Sequence, residues 1–358
     1  MKPMDYRTSG VDIDEGERAV SMMREAVRST FGRRVLSDLG HFGGLFSASF
    51  PEMSDPVLVA STDGVGTKLR VASMTGRWNT VGQDLVNHCV NDILVQGARP
   101  LFFMDYIACG KLSAVTVAEI VSGLAGACNE NGCALLGGET AEMPGFYSEG
   151  DYDLAGTIVG IVERSRVLDG SDISPGDRIL ALPSTGLHTN GYSLAREVLF
   201  ASAGMDPGDG HALLGGETVA DALLRVHRSY LTPLGPLLER GMVKGLAHIT
   251  GGGIPGNLSR ILPSGCGALI TPEWEVPGLI RLIGELGGIA PSEMRRAFNM
   301  GAGMLLVVGP EVMPSALELL EEQGEPVFEA GEILKGDGVV FRDEQDGIPE
   351  VKDVRGAH

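Results

Sequence analysis

Apolar positions recur along this chain with two different periods. Short runs rich in apolar and β-branched residues at Pro56–Thr62, Leu101–Cys109, Cys133–Gly137 and Asp153–Val162 read as strands. Between and before them, Glu15–Arg28, Val81–Gln96 and Ala114–Asn131 carry apolar residues at helical spacing. The stretch LDGSDISPGD at Leu168–Asp177 is dense in turn formers and marks a break. Beyond it the pattern predicts strands at Arg178–Leu182, Cys266–Ile270, Met304–Val308 and Val327–Ile333. Helices are predicted near Tyr192–Ala203, Val219–His227, Leu231–Glu239 and Val312–Gln323. Such alternation points to two α+β or α/β domains, residues 1–169 and 170–345, with a frayed acidic tail over 346–358. A length of 358 residues exceeds what one core supports.

Composition narrows the function. Hydrophobic residues make up 43% and charged residues 21%, the balance of a globular protein. The net charge of −19 argues against nucleic acid as a partner, since that binding depends on Lys and Arg meeting phosphates. An anionic substrate therefore needs local cations, backbone N–H groups or a metal at its site. No apolar run of about 18 residues exists to span a membrane. The polar N-terminal stretch MKPMDYRTSGVDIDEGE has no apolar signal core, so a cytoplasmic protein is expected. Cys89, Cys109, Cys128, Cys133 and Cys266 show no CxxC spacing and are expected to be reduced, buried thiols, with no zinc-ligand spacing among Cys and His. The 52 glycines are about twice average usage. They gather in polar loops, where a backbone turns sharply or approaches a ligand.

Six segments can carry chemistry. In Ser61–Lys68, STDGVGTK, an acid at a strand end precedes glycines, a hydroxyl and a lysine, a set that can hold a metal and cradle phosphates; GxxxxGK[ST] spacing is absent, and the plainer reading is a turn with a surface lysine. In Val81–Gln96, Asp84, His88 and Asp92 form one stripe at i, i+4 and i+8, with Asn87 and Asn91 beside it. The rest of that helix is apolar, so the stripe is expected to meet a ligand, a metal or enclosed water rather than bulk solvent. Glu139 and Glu142 in GGETAEMPG suit a metal, or recognition of an amine or hydroxyl. STGLHTNGYS, with His188, Thr189 and Asn190 at a helix start, makes an anion pocket, His188 serving as donor or as acid–base. Gly251, Gly252 and Gly253 in HITGGGIPGN offer backbone N–H groups to an anion. Arg24, Arg28, Arg33 and Arg34, followed by Gly40, Gly43 and Gly44, suggest a lid over phosphates. LLGGET recurs at Leu213–Thr218, and this second copy reads as coincidence with Thr218 as a helix cap.

The collinear segments GVDIDEG, STDGVGTKL, CVNDILVQGARPLFFMDYIA, GGETAEMPGFY, STGLHTNGYSLAR, HITGGGIPGNLSRILP and FNMGAGM, from about Gly10 to Gly331, resemble the phosphoribosylformylglycinamidine cyclo-ligases, or aminoimidazole ribonucleotide synthetases. The resemblance implies a homodimer in which strands of both N-terminal domains form a shared barrel, flanked by α/β C-terminal domains. It implies ATP and Mg²⁺, helped by K⁺, and closure of the imidazole ring of formylglycinamidine ribonucleotide with release of ADP and phosphate in purine synthesis. It places Asp63, Asp92 and Glu139 at the metal, with Asp63, Gly64, Gly66, Thr67, Lys68, Arg24, Gly43, Gly44, Glu139 and Glu142 at the nucleotide. His188, Thr189, Asn190 and Gly251–Gly253 fall on the substrate side, and Asp92, His188 and Lys68 carry the catalytic roles. At position 24 related enzymes are expected to have lysine, and an arginine fork is not a point ammonium.

Competing members of the same superfamily fit less well. Selenophosphate synthetase needs an N-terminal reactive Cys, and here none precedes Cys89. The hydrogenase-maturation dehydratase ends in a functional Cys, whereas this chain ends DVRGAH. Thiamine-monophosphate kinase lacks HTNGYS and HITGGG in this form, and the glutamine-dependent enzyme one step earlier needs a longer assembly. A catalytically dead nucleotide-binding scaffold is opposed by retention of Asp63, Asp84, Asp92 and Glu139.

Overall fold

A computed structural model describes residues 10–342; the tail expected at 346–358 lies outside them. The first domain opens with α1 (Ile13–Ser29), capped by Asp12, whose side chain accepts from the Glu15 N–H. There follow β1 (Pro56–Gly64), α2 (Lys68–Thr75), α3 (Asn79–Leu94), β2 (Arg99–Cys109), α4 (Ala114–Glu130), β3 (Ala134–Glu142) and β4 (Tyr152–Glu163). The strands form one sheet in the order β1-β4-β2-β3. Only β2 and β3 run parallel, and α4 makes the crossover that such a pair requires.

Strand alternation gives this sheet two unlike faces. Val59, Phe103, Ile107, Leu154 and Ile158 are buried in the core that also contains the apolar residues of α3 and α4. The opposite face carries Leu58, Met104 and Tyr106, which are 66%, 40% and 37% exposed. Helices α3 and α4 approach closely because Gly82 and Gly123 face backbone across the contact; a Cβ at either would collide with it.

In the second domain β5 (Arg178–Pro183), α5 (Tyr192–Arg196), α6 (Val219–Leu223), α7 (Leu231–Glu239), β6 (Gly245–His248), α8 (Gly253–Leu258), β7 (Cys266–Ile270), α9 (Gly278–Gly287), α10 (Pro291–Ala297), β8 (Ala302–Val308), α11 (Met313–Glu322), β9 (Phe328–Lys335) and β10 (Val339–Phe341) follow in order. The sheet order is β10-β7-β9-β5-β8-β6. Strand β8, AGMLLVV, is apolar and buried along its whole length because both faces are covered. Leu305 and Val307 of β8 join one core with Ile254 and Leu258 of α8, while Leu306 and Val308 join another with α7 and α11. All five cysteines are buried and unbridged, as their spacing implied. Among the described residues no helix is long and apolar enough to cross a membrane.

One local expectation changes. The helix expected over Val219–His227 stops at Leu223, and residues 225–230 run without regular structure. The reason lies in α3. Asp84 accepts from His227 N at 2.7 Å, Asn87 donates to His227 O at 2.9 Å, and Asn91 donates to Arg228 O while accepting from Tyr230 N, both at 2.9 Å. Side chains of the first domain thus replace the helical hydrogen bonds of the second. Thr218 does cap α6, with Asp221 completing a capping box, so the second LLGGET has a local structural role.

Candidate active site

The polar stripe of α3 divides between two tasks. Its N-terminal half is structural: Asp84 is fully buried and pairs with Lys68 at 2.8 Å, and Lys68 Nζ also donates to Arg225 O at 2.7 Å. Burial pushes the Lys68 pKa down and that of Asp84 up, and their contact opposes both shifts. The expectation that Lys68 holds phosphate oxygens is therefore corrected. Its ammonium is enclosed and already saturated with partners, because the first turn of α2 aims it at α3 instead of the cleft.

The C-terminal half lies at the contact between the domains, where Asp63 and Asp92 stay partly exposed. Asp63, near the end of β1, meets His88 Nε2 at 2.8 Å, and Asp92 Oδ2 lies 3.9 Å from the same nitrogen. Two carboxylates thus converge on one ring. Asp63 Oδ1 also accepts from Gly64 N, and Asp92 Oδ2 accepts from Ser61 Oγ at 3.1 Å. Burial would raise both carboxyl pKa values, but the hydrogen bonds from His88 and His248 and the charge of those rings hold them below the ordinary carboxylate value. Burial works against a charged His88, yet Asp63 and Asp92 raise its pKa above the usual value.

From there a continuous hydrogen-bonded chain crosses the interface. His88 Nδ1 lies 2.7 Å from Thr189 Oγ1, which lies 3.3 Å from His227 Nδ1. His227 Nε2 is 3.0 Å from His248 Nε2, and His248 Nδ1 is 2.9 Å from Asp92 Oδ1. The two facing Nε2 atoms share one proton, so one ring donates and the other accepts. Asn91 Nδ2, a donor 3.2 Å from His227 Nε2, makes that nitrogen the acceptor and His248 Nε2 the donor. Burial drives the pKa of His227 well down and lowers that of His248. Sequence reading assigned neither His227 nor His248 a role. His248 opens the HITGGG motif, a usable signal, but nothing local marks His227, and no ligand-like spacing joins four histidines brought together by tertiary packing.

The remaining expected residues fall in three places. His188 stacks on His227 with ring centroids 4.0 Å apart, adopts φ +61°, and leaves its buried Nδ1 without a partner. It sits behind Thr189 and Asn190, which occupy more open positions. Thr67 meets Ser193 at 3.1 Å. The glycine triplet is corrected to a packing role in part: Gly252 N donates to Arg296 O, Gly253 N donates to Thr250 O, and a Cβ at Gly253 would strike the Arg295 carbonyl. Gly251 lies beside Asn190.

A second locus lies at the edge strand β3, under α1. A cavity of about 1090 Å³ is lined by Arg24, Gly43, Gly44, Glu139 and Glu142, together with Asp105. Five expected nucleotide residues therefore converge there, away from Lys68. Glu139 does not join Asp63 and Asp92. It stands opposite Tyr106 in the strand register, whereas Asp63, Gly156, Asp105 and Gly138 form the neighbouring row. Glu139 consequently leaves the sheet on the other face, and its expected place in one metal site with the two aspartates is corrected. Glu142 is held by Asp12 N at 2.7 Å and Leu112 N at 2.8 Å.

The two sheets and the α3 carboxylates between them belong to a known class: the AIR synthase related protein N-terminal domain matches residues 49–162 and the C-terminal domain residues 174–344. Solved structures agree in fold. That of thiamine-monophosphate kinase from Stenotrophomonas maltophilia K279a superposes with a TM-score of 0.64 at 18% identity, covering 90% of this chain and 96% of that one. A hydrogenase maturation protein HypE in complex with ATP gives 0.63 at 18%, covering 91% and 90%. Within the class, the phosphoribosylformylglycinamidine cyclo-ligase of Alkaliphilus metalliredigens is 48% identical over 94% of this chain and 97% of its own length. That of Magnetococcus marinus is 51% identical over 92% and 93%. The chain belongs to the phosphoribosylformylglycinamidine cyclo-ligase family.

Proposed function

We propose that this enzyme closes the imidazole ring of formylglycinamidine ribonucleotide with ATP, releasing aminoimidazole ribonucleotide, ADP and phosphate. The observation that carries the reading is the convergence of Asp63 and Asp92 on His88 at the contact between the domains. An amide oxygen is a poor leaving group until phosphorylated. In this reading the formyl oxygen takes the γ-phosphoryl group of ATP, the amidine nitrogen attacks that carbon, and phosphate departs with the C–O bond. Catalysis of phosphoryl transfer is mostly positioning and charge stabilisation.

The paired, partly exposed carboxylates of Asp63 and Asp92 suit a hard cation that keeps some waters and binds phosphate oxygens, which is the chemistry of Mg²⁺. Bound there, it would neutralise phosphate charge. Arg24 and the Gly43–Gly44 loop line the cavity proposed for the nucleotide, and Glu142 fixes the chain around Asp12. Thr189 and Asn190 face the substrate side, while His188 positions His227 by stacking. K⁺ as an auxiliary cation belongs to the same reading and is tested by exchanging it for Na⁺.

The exposed apolar face of the first sheet supports a homodimer closed through that face, and a cytoplasmic location belongs to the same reading. Incubation with ATP, Mg²⁺ and formylglycinamidine ribonucleotide, followed by assay of the imidazole product, tests the whole. Stoichiometric ADP and imidazole are expected; ATP turnover without ring closure would refute it in favour of a kinase-type member of the class.

A further inference from the structure

We propose that Asp105 reads the adenine ring of ATP, its carboxyl facing the N1–C6–N6 edge of the base. The inference rests on the nucleotide occupying the cavity under α1. Asp105 stands on β2 and lines that cavity among apolar neighbours, including Val27, Val121 and Leu135, all buried. Among the described residues its carboxyl has no hydrogen-bonding partner apart from its own backbone N–H. A partly buried carboxyl left so is costly unless a ligand supplies what the protein withholds.

The surroundings preserve the space. Gly138 is the cross-strand neighbour of Asp105, and a Cβ there would run into Asp105 Oδ1. The second glycine of GGET therefore makes room for this carboxyl. The cavity also carries Arg24, Glu139 and Glu142, and its buried apolar lining, with Asp105 as a fixed polar group, suits a flat heteroaromatic ring. Burial raises the Asp105 pKa to about 7, so the neutral acid is well populated near neutrality. A carboxylic acid presents a donor and an acceptor side by side. Adenine offers the complement: N1 accepts and the N6 amino group donates. The amidine of the substrate presents the same N–C–N edge, so the test must separate the two sources.

The experiment is calorimetric titration, with Mg²⁺, of ATP and of purine riboside triphosphate, which lacks the N6 amino group. Wild-type protein is expected to prefer ATP by roughly tenfold to a hundredfold. Asp105→Leu is expected to lose that preference, and Asp105→Asn, whose amide keeps a donor and an acceptor, to retain ATP binding within about threefold. Equal affinity of the wild type for both nucleotides would overturn the assignment without any variant. So would an Asp105→Leu protein that still discriminates, or one that weakens only for the amidine substrate. Arg24→Ala separates the two levels: if it and Asp105→Leu both leave ATP affinity unchanged, the placement of the nucleotide in this cavity fails instead.

Discussion

Asp92 of α3 and His248 of β6 meet at 2.9 Å, so a carboxylate of one domain and an imidazole of the other are set by a single hydrogen bond. The same carboxylate accepts from Ser61 of β1. Asp92 is thus held from two sides while it remains partly exposed.

Replacing Asp92 with Asn should keep the contact to His248 through the amide oxygen and reverse the one to Ser61, whose hydroxyl then accepts from the amide NH2, while removing the negative charge. We expect kcat to fall by about a hundredfold to a thousandfold with an unchanged fold. Steady-state kinetics beside thermal unfolding checks this, and full activity would remove Asp92 from the mechanism.

The Lys68–Asp84 pair predicts a different signature. Lys68→Met leaves a buried aspartate uncompensated and should destabilise the protein by about 3–5 kcal/mol, whereas Lys68→Met combined with Asp84→Leu should recover part of the loss. Urea unfolding measures both. A Lys68→Met protein of native stability whose only defect is weak ATP binding would restore the phosphate role.

Asp105 makes stability depend on pH. Its folded pKa of about 7 lies above the unfolded value near 3.9, so the folded state binds more protons. The favourable contribution is present at low pH and lost as the pH rises through about 4 to 7. The stability advantage of Asp105→Asn over wild type should therefore grow by about 3 kcal/mol between pH 5 and pH 8. Denaturant unfolding at the two values decides; an advantage that shrinks with pH contradicts the burial argument.

The open sheet face yields a prediction about assembly. Leu58→Glu with Met104→Glu alters only exposed positions, so each folded chain should survive. Sedimentation velocity is expected to show a dimer for wild type and a monomer for the double variant. A wild-type monomer would remove the shared-barrel arrangement.

Much of this architecture was legible because periodicity is local. The β8 run and the α3 stripe announce themselves through residues a few positions apart. What escaped depends on distant chain segments. The end of α6 at Leu223 is set by Asp84, Asn87 and Asn91, some 140 residues upstream. Lys68 looks like a phosphate ligand in sequence because nothing local reveals that Asp84 will claim it. Glu139 looks like a companion of Asp63 because register, which a glycine-rich strand conceals, decides its face.

The backbone of residues 225–230 is written, in effect, by α3. Neither domain can keep its own structure here once the other melts, since breaking the contact strands the buried amide and carbonyl groups of one and the side chains of the other. A chain with two separate sheets should accordingly show one calorimetric transition, its van't Hoff and measured enthalpies agreeing. Rigid-body hinging between the halves is closed to it, leaving the segment around α1 and Gly40–Gly44 to supply whatever motion admits and releases the reactants.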